Sequence, residues 1–240
     1  MTLPEKQDNG PFKRVLNIAH RGFTRKYPDN TLEAFEAAIG INVDAIECDV
    51  RETDDNHFVM FHDPQVSGQD IGSLSLAKIR EFRLKDRYQV PTLEETLRLC
   101  RNRMKLNIEI KEISSLTLFL EVLRADSNPD AVFLTSFNRD LITKMADLAP
   151  DIRRGIITAL PAGGNIALAR ETKSDMIIVM YPFVTADLVR HAHSADLPVL
   201  VWGFPDMEQV RNTLRMDVDG LVTDFPDEVG KELDRLSRGH

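Results

Sequence analysis

Cysteine is scarce in this chain of 240 residues, and long apolar runs are missing from it. Its two cysteines, Cys48 and Cys100, show no CxxC or other metal-type spacing, so a disulfide framework is not expected. No segment approaches the roughly 18 apolar residues of a membrane span. The amino-terminal sequence MTLPEKQDNGPFKR also lacks the apolar core of a secretory signal. We therefore expect a cytoplasmic protein with reduced thiols and no stable membrane insertion.

Positive charge is in deficit as well. The net charge is −8 and the pI is near 5.3, and no cluster of Lys and Arg is interleaved with aromatic residues. Nonspecific binding of nucleic acid is therefore disfavoured. Neither GxGxxG nor GxxxxGKS/T follows an apolar run, so a nucleotide-binding interpretation lacks its phosphate loop. Nothing in the composition indicates an oligomeric state.

What the chain does contain is a regular alternation of short apolar segments and amphipathic segments. Eight buried strands are expected near residues 15–19, 44–50, 105–111, 131–135, 153–158, 176–181, 197–202 and 219–223. Helices are expected after residue 31 and near residues 92–103, 115–125, 138–148, 164–172, 184–194, 206–215 and 226–237.

Repeated strand–helix units whose strands are apolar on both faces favour a parallel sheet. Eight such units favour closure into an α/β fold of the (β/α)8 TIM-barrel type, which we expect to form one domain over residues 1–240. An open doubly wound sheet is the alternative. Residues 57–61 are expected to form a hairpin with the second strand, and residues 64–90 to be a small insertion on the active face.

Polar side chains gather where these strands end. Such positions include His20 with Arg21, Glu47 with Asp49, and Glu109 with Lys111, as well as Trp202 and Asp224. In a parallel barrel the carboxyl ends of all strands meet at one face, so these groups should converge there.

The spacing within the second strand indicates a carboxylate pair. Residues two apart on a strand share a face, so Glu47 and Asp49 stand together while Cys48 points the other way. A hairpin centred between Asp54 and Asp55 would place His62 opposite Glu47. Each feature alone is common on solvated strand ends, but their conjunction favours a functional site.

Glu109 and Lys111 repeat the same spacing and add a third carboxylate and a cation. Three carboxylates offering only oxygen suit a hard divalent cation, Mg²⁺ or Ca²⁺, and disfavour a histidine-rich zinc site. A phosphodiester fits these groups, because the cation, Arg21 and Lys111 would meet its charge while two histidines divide the proton transfers. The alternative for Lys111 is an ion pair with Glu109 or Glu112.

The chain also resembles a known family. The residues that carry the resemblance are His20-Arg21-Gly22, Pro28-Asp29-Asn30-Thr31, Glu47-x-Asp49-Val50, Thr53-x-Asp55, His62-Asp63, Pro91-Thr92-Leu93-Glu94-Glu95, Asn107-Ile108-Glu109-Ile110-Lys111, Ser136-Phe137 and Asp219 to Pro226. They resemble the signature of the glycerophosphodiester phosphodiesterase family over nearly the whole chain.

This resemblance implies metal-dependent hydrolysis of small glycerophosphodiesters to sn-glycerol 3-phosphate and an alcohol, and it leaves open whether a cyclic phosphate forms as an intermediate. It implies catalytic roles for His20 and His62, metal ligation by Glu47, Asp49 and Glu109, and phosphate binding by Arg21 and Lys111. Trp202 would pack on the glycerol carbons or, equally, on the barrel mouth. Asn30 and Asp63 would support these groups from behind.

Two departures from the family pattern concern the substrate more than the reaction. Asp29 stands where the family usually has Glu, and Gly203-Phe204-Pro205 follows Trp202 where Thr-Val-Asn is common. One alternative function is cleavage of lysophospholipids at a membrane, and another is a catalytically silent binding homologue. Residues 64–90 contain no Trp and no amphipathic anchor of useful length, and Glu81 and Asp86 interrupt their Lys and Arg residues, so we expect them to form a lid over a small glycerol pocket.

Overall fold

The computed structural model describes residues 14–238, in which eight parallel strands form the central layer. These strands are β1 (Leu16–His20), β2 (Ala45–Glu52), β6 (Lys105–Glu112), β7 (Val132–Ser136), β8 (Arg153–Thr158), β9 (Met176–Met180), β10 (Val199–Trp202) and β11 (Gly220–Thr223). Three short strands, β3 (Phe58–Met60), β4 (Gln65–Val66) and β5 (Gln69–Asp70), lie outside the barrel wall.

The wall closes on itself. Each strand pairs in parallel with its neighbours in the order β1-β2-β6-β7-β8-β9-β10-β11, and β11 returns to β1 with Ala19 beside Thr223. The predicted TIM barrel is therefore confirmed, and the open doubly wound sheet is wrong.

Helices cover the outside of the wall. They are α1 (Leu32–Gly40), α2 (Leu76–Ile79), α3 (Leu93–Cys100), α4 (Leu116–Asp126), α5 (Arg139–Leu148), α6 (Asn165–Glu171), α7 (Ala186–His193), α8 (Met207–Leu214) and α9 (Pro226–Ser237). Several begin at a side-chain cap, and at α1 the Thr31 side chain accepts a hydrogen bond from the Ala34 amide. At α3, Thr92 and Glu95 form a reciprocal capping box. No helix within residues 14–238 is long and apolar enough to cross a membrane.

Apolar side chains fill two layers. An outer layer packs the strands against the helices and includes Cys48 and Cys100, which are buried free thiols. An inner layer fills the barrel with Ile18, Ala45, Phe133, Ile157, Met176, Ile178, Leu200 and Val222. Glycine at position 155 makes room for this inner layer, because a Cβ there would lie 2.4 Å from the Ile178 methyl group. The barrel is thus packed below the site, which opens at the carboxyl ends of the strands.

The hairpin after β2 forms, but its register differs from the prediction by one residue. Val50 pairs with Met60, and the Phe61 amide donates to the Asp49 carbonyl, so the turn is centred on Asp55. This register puts His62 level with Cys48 and corrects the predicted alignment with Glu47. The turn is longer than expected because Asn56 adopts a left-handed conformation (φ 60°).

The segment 64–90 folds against the barrel as a β4–β5 hairpin, a 3₁₀ turn at Ile71–Ser73 and the short helix α2. Apolar residues from all three parts form a small cluster with Val59 and Val90, whose buried members include Ile71 and Ile79.

Candidate active site

Three carboxylates meet inside the mouth of the barrel. Because β2 and β6 pair with Asp49 beside Glu109, the side chains of Glu47, Asp49 and Glu109 all face inward. All three residues are buried, and one oxygen from each lies within 4.8 Å of the others. An oxygen-only donor set of this kind fits a hard divalent cation.

Electrostatics support the fit to a cation. Burial, together with the charge of Asp49, raises the pKa of Glu47 to about 8. Burial also raises the pKa of Glu109, although Lys111 opposes it. Burial would also raise the pKa of Asp49, but the positive charges of Lys111 and Arg21 outweigh burial and hold that pKa below its usual value. Burial and mutual repulsion therefore oppose ionisation of Glu47 and Glu109, and a bound cation would offset both effects.

Lys111 and Arg21 contact this cluster from two sides. Lys111 Nζ lies 3.0 Å from Asp49 Oδ1 and 2.5 Å from Glu109 Oε1, so the ion pair with Glu109, the alternative considered for Lys111, is present. Arg21 Nε lies 3.1 Å from Asp49 Oδ2, and the Arg21 amide donates to Glu47 Oε2 at 3.0 Å. The backbone of Arg21 is in the left-handed region (φ 54°).

Asn30 fixes the position of Asp49. Its Nδ2 donates to Asp49 Oδ2 at 2.8 Å, and its Oδ1 accepts from the Asp49 amide at 3.0 Å. Asp29, the shorter carboxylate at the first departure from the family pattern, lies 3.3 Å from Arg21 NH1. The supporting position predicted for Asn30 is therefore occupied, and Asp29 still reaches Arg21.

His20 lies between two carboxylates. Its Nε2 is 3.9 Å from Glu47 Oε2, and its Nδ1 is 2.8 Å from Asp224 Oδ1. Burial lowers the pKa of His20, but the hydrogen bond to Asp224 and the charge of Glu47 together outweigh it, so the pKa is raised. Sequence reasoning placed Asp224 at the mouth without giving it a role. The signal was its position just after β11, the strand that pairs with β1.

His62 approaches the cluster from the hairpin. Its Nδ1 is 2.7 Å from Asp63 Oδ1, as the predicted supporting role of Asp63 requires. Partial burial lowers the pKa of His62, although Asp63 and the charge of Asp49 oppose this effect. Each histidine is thus oriented by one carboxylate through Nδ1, which leaves its Nε2 available.

Aromatic side chains line the other side of the mouth. Trp202 ends β10 and meets Phe137 in an edge-to-face contact with ring centroids 5.7 Å apart. Phe137 is 46% exposed, and sequence reasoning gave it no role although it follows a strand end. At the second departure from the family pattern, Phe204 is buried and packs against Tyr181, so it does not extend this wall.

The structure therefore brings every predicted site residue to one end of the barrel. A closed (β/α)8 barrel with a buried carboxylate triad, two cations and two carboxylate-paired histidines at its mouth defines a hydrolytic enzyme of the barrel class. The glycerophosphoryl diester phosphodiesterase family model matches residues 20–228, and the chain belongs to that family.

Individual relatives agree with this assignment. A glycerophosphodiester phosphodiesterase of Caldanaerobacter subterraneus subsp. tengcongensis is 28% identical over 164 residues, which cover 60% of this chain and 67% of that protein. One from Bacillus altitudinis is 29% identical over 161 residues, 59% of this chain and 65% of that protein. The matched part of the chain thus spans about two thirds of the length of these relatives.

Solved structures share the fold. The glycerophosphodiester phosphodiesterase of Thermotoga maritima superposes with a TM-score of 0.77 at 26% identity, covering 91% of this chain and 98% of that one. A phosphodiesterase from Oleispira antarctica gives a TM-score of 0.85 at 23% identity, covering 93% and 97%.

Proposed function

We propose that this chain hydrolyses soluble glycerophosphodiesters to sn-glycerol 3-phosphate and an alcohol, and that it requires Mg²⁺ or Ca²⁺. The observation that carries the proposal is the meeting of the carboxylate triad with His20 and His62 at one barrel mouth. The Oleispira antarctica phosphodiesterase, which has the same fold, was solved in complex with the product sn-glycerol-3-phosphate, and this supports the choice of product.

Glu47, Asp49 and Glu109 would hold the divalent cation. When bound there, the cation supplies a Lewis acid for the charge on the phosphoryl oxygens. Arg21 and Lys111, which already contact the triad, would bind the same phosphate as cationic donors. The proximity of Lys111 to Glu109 does not compete with this role, because its ammonium group has three donors.

His20 and His62 would carry the proton transfers. One takes the proton of the attacking hydroxyl or water, and the other donates to the leaving alkoxide. Asp224 and Asp63 each hold an imidazole through Nδ1, which fixes its tautomer and directs Nε2 toward the reaction.

We also propose that segment 64–90 borders the substrate as a lid, with Trp202 packed on the glycerol carbons. Pro64, Ile71 and Gly72 of this segment line a cavity of about 510 Å³ that also includes Lys111. Lys111 is the one proposed site residue in the wall of this cavity, so the cavity supports the position of the segment beside the site. The preference for a small monomeric substrate over a lipid held in a bilayer rests on the absence of Trp from the segment.

The test measures release of glycerol 3-phosphate from glycerophosphocholine. We expect turnover with Mg²⁺ or Ca²⁺ and none after chelation, which should also lower Tm because the triad then repels itself. Replacing His20 or His62 by Ala should lower kcat by about 100-fold or more without unfolding the protein.

His193→Ala is the matched control. His193 also pairs with a carboxylate, since its Nε2 is 2.8 Å from Asp219 Oδ2, but it ends α7 away from the barrel mouth. Its replacement should leave kcat unchanged. Turnover that survives exhaustive chelation would contradict the cation, and faster cleavage of vesicle-bound lysophosphatidylcholine would favour the lipid substrate. No release with any cation would indicate a silent homologue.

A further inference from the structure

Arg51 connects the carboxylate strand to the backbone of His62. It lies on β2 two residues after Asp49 and is buried, with 8% of its surface exposed. Its Nε and NH2 donate to the His62 carbonyl at 3.0 and 2.8 Å, and its NH1 donates to Glu112 Oε2 at 2.8 Å. All three nitrogens of the Arg51 guanidinium group therefore donate hydrogen bonds at the rim of the site.

The His62 carbonyl accepts its hydrogen bonds from the Arg51 guanidinium and not from the backbone of a neighbouring strand. Ladder pairing between β2 and β3 ends at Met60, with one further bond from the Phe61 amide to the Asp49 carbonyl. His62 thus lies just beyond the hydrogen-bonded ladder, where backbone is freer to move. A planar fork that donates twice to one oxygen fixes that oxygen in direction as well as distance.

A bulge in β6 gives Arg51 its second partner. Val50 pairs with Ile110 but Arg51 pairs with Glu112, so Lys111 is an extra residue in the ladder. The bulge lets Lys111 reach the carboxylate triad while Glu112 reaches Arg51. Glu112 is 79% exposed in its side chain, so this ion pair directs the fork and adds little stability.

We infer that Arg51 is a positioning residue for His62, oriented by Glu112, and that it acts on catalysis through that histidine alone. The inference rests on the proposed function, in which His62 transfers a proton. A displacement of about 1 Å at a catalytic group can cost about 100-fold in rate. Loss of the fork should therefore reduce proton transfer by His62 without weakening substrate binding.

A double-mutant cycle tests the inference. Arg51→Met keeps an unbranched apolar stem in place of the Arg51 stem and removes every donor. We expect it to lower kcat on glycerophosphocholine by about 10- to 100-fold with KM within about twofold. In a His62→Ala background the same change should cost less than about twofold, because the histidine through which it acts is absent.

Arg154→Met is the matched structural control. Arg154 is also buried and donates to backbone carbonyls of Ile152 and Lys173, but it lies at the opposite end of the barrel. It should lower stability and leave kcat of the folded enzyme unchanged in both backgrounds. If Arg51→Met fails to fold, Glu112→Gln replaces it, with an expected kcat loss of about two- to fivefold that likewise vanishes without His62.

Imidazole NMR separates this inference from the proposed function. In Arg51→Met or Glu112→Gln the His62 ring signals should shift and broaden while those of His20 remain sharp. An equal kcat loss with and without His62, or unchanged kcat and His62 signals, would overturn the inference. If the wild type releases no glycerol 3-phosphate, the proposed function fails, and the NMR comparison alone decides whether Arg51 positions His62.

Discussion

Asp224→Asn should slow the enzyme while leaving it folded. Asp224 Oδ1 lies 2.8 Å from His20 Nδ1, and 51% of the Asp224 side chain is exposed. A hydrogen bond to a charged group is worth about 1.5–3 kcal/mol. If that energy stabilises the charged imidazole in the transition state, its loss lowers kcat by about 10- to 150-fold at about 1.36 kcal/mol per decade.

Substrate affinity and stability should change little. Asp224 does not contact the groups proposed to bind phosphate, so KM should stay within about twofold. Since the carboxylate is half exposed, we expect the change in unfolding free energy to be below about 1 kcal/mol, a Tm shift of at most about 4 °C. These limits distinguish a loss of histidine function from partial unfolding.

The assay is steady-state release of glycerol 3-phosphate at saturating Mg²⁺, with Tm measured on the same samples. Asp227→Asn is the matched control, because Asp227 is a nearby carboxylate that pairs with Arg25 at 3.3 Å and does not contact His20. It should retain wild-type kcat. An Asp224→Asn enzyme with full turnover would show that His20 works without its carboxylate.

Two further predictions concern stability. Burial would raise the pKa of Glu52, but hydrogen bonds from Ser114 and Ser115 outweigh this effect and lower the pKa. The stabilisation that ionised Glu52 gives the fold is therefore present above the pKa of Glu52 in the unfolded chain, and it is lost as the pH falls through the pKa in the folded protein. Glu52→Gln should therefore cost about 1–3 kcal/mol near neutral pH in urea unfolding and less in acid; an equal loss at both pH values would contradict this. Gly155→Ala should cost about 1–3 kcal/mol, because its methyl group would overlap Ile178. Gly40→Ala is its control, since a Cβ at Gly40 meets nothing within 4 Å and should not destabilise the protein.

The barrel and the carboxylate triad follow from patterns that are local in sequence. The alternation of apolar and amphipathic segments predicts eight strands, and the rule that parallel strands end at one face brings Glu47 and Asp49 to Glu109. The two-residue period of a strand correctly turns Cys48 toward the outer layer. These predictions succeed because each depends on the spacing of side chains along a strand or helix, or on the common direction of parallel strands.

Register and long-range partners could not be predicted in the same way. The hairpin was misplaced by one residue because the left-handed conformation of Asn56 lengthens the turn, and several polar residues there could have marked its centre. The fork of Arg51 depends on a bulge between Val50 and Arg51, which leaves no periodic trace in sequence. The hairpin register and the bulge are both set by how neighbouring strands pair, which the sequence of one strand does not specify.

Closure of the barrel has a consequence for the order in which the site becomes complete. The triad, both histidines and the two cationic side chains proposed to bind phosphate lie within the first 111 residues. The carboxylate that contacts His20 follows the last strand, 204 positions after His20. A chain emerging from the ribosome would carry the reactive groups long before β11 can dock beside β1. Pairing of β11 with β1 would therefore be needed before His20 is oriented for proton transfer, so full activity would accompany only the closed barrel.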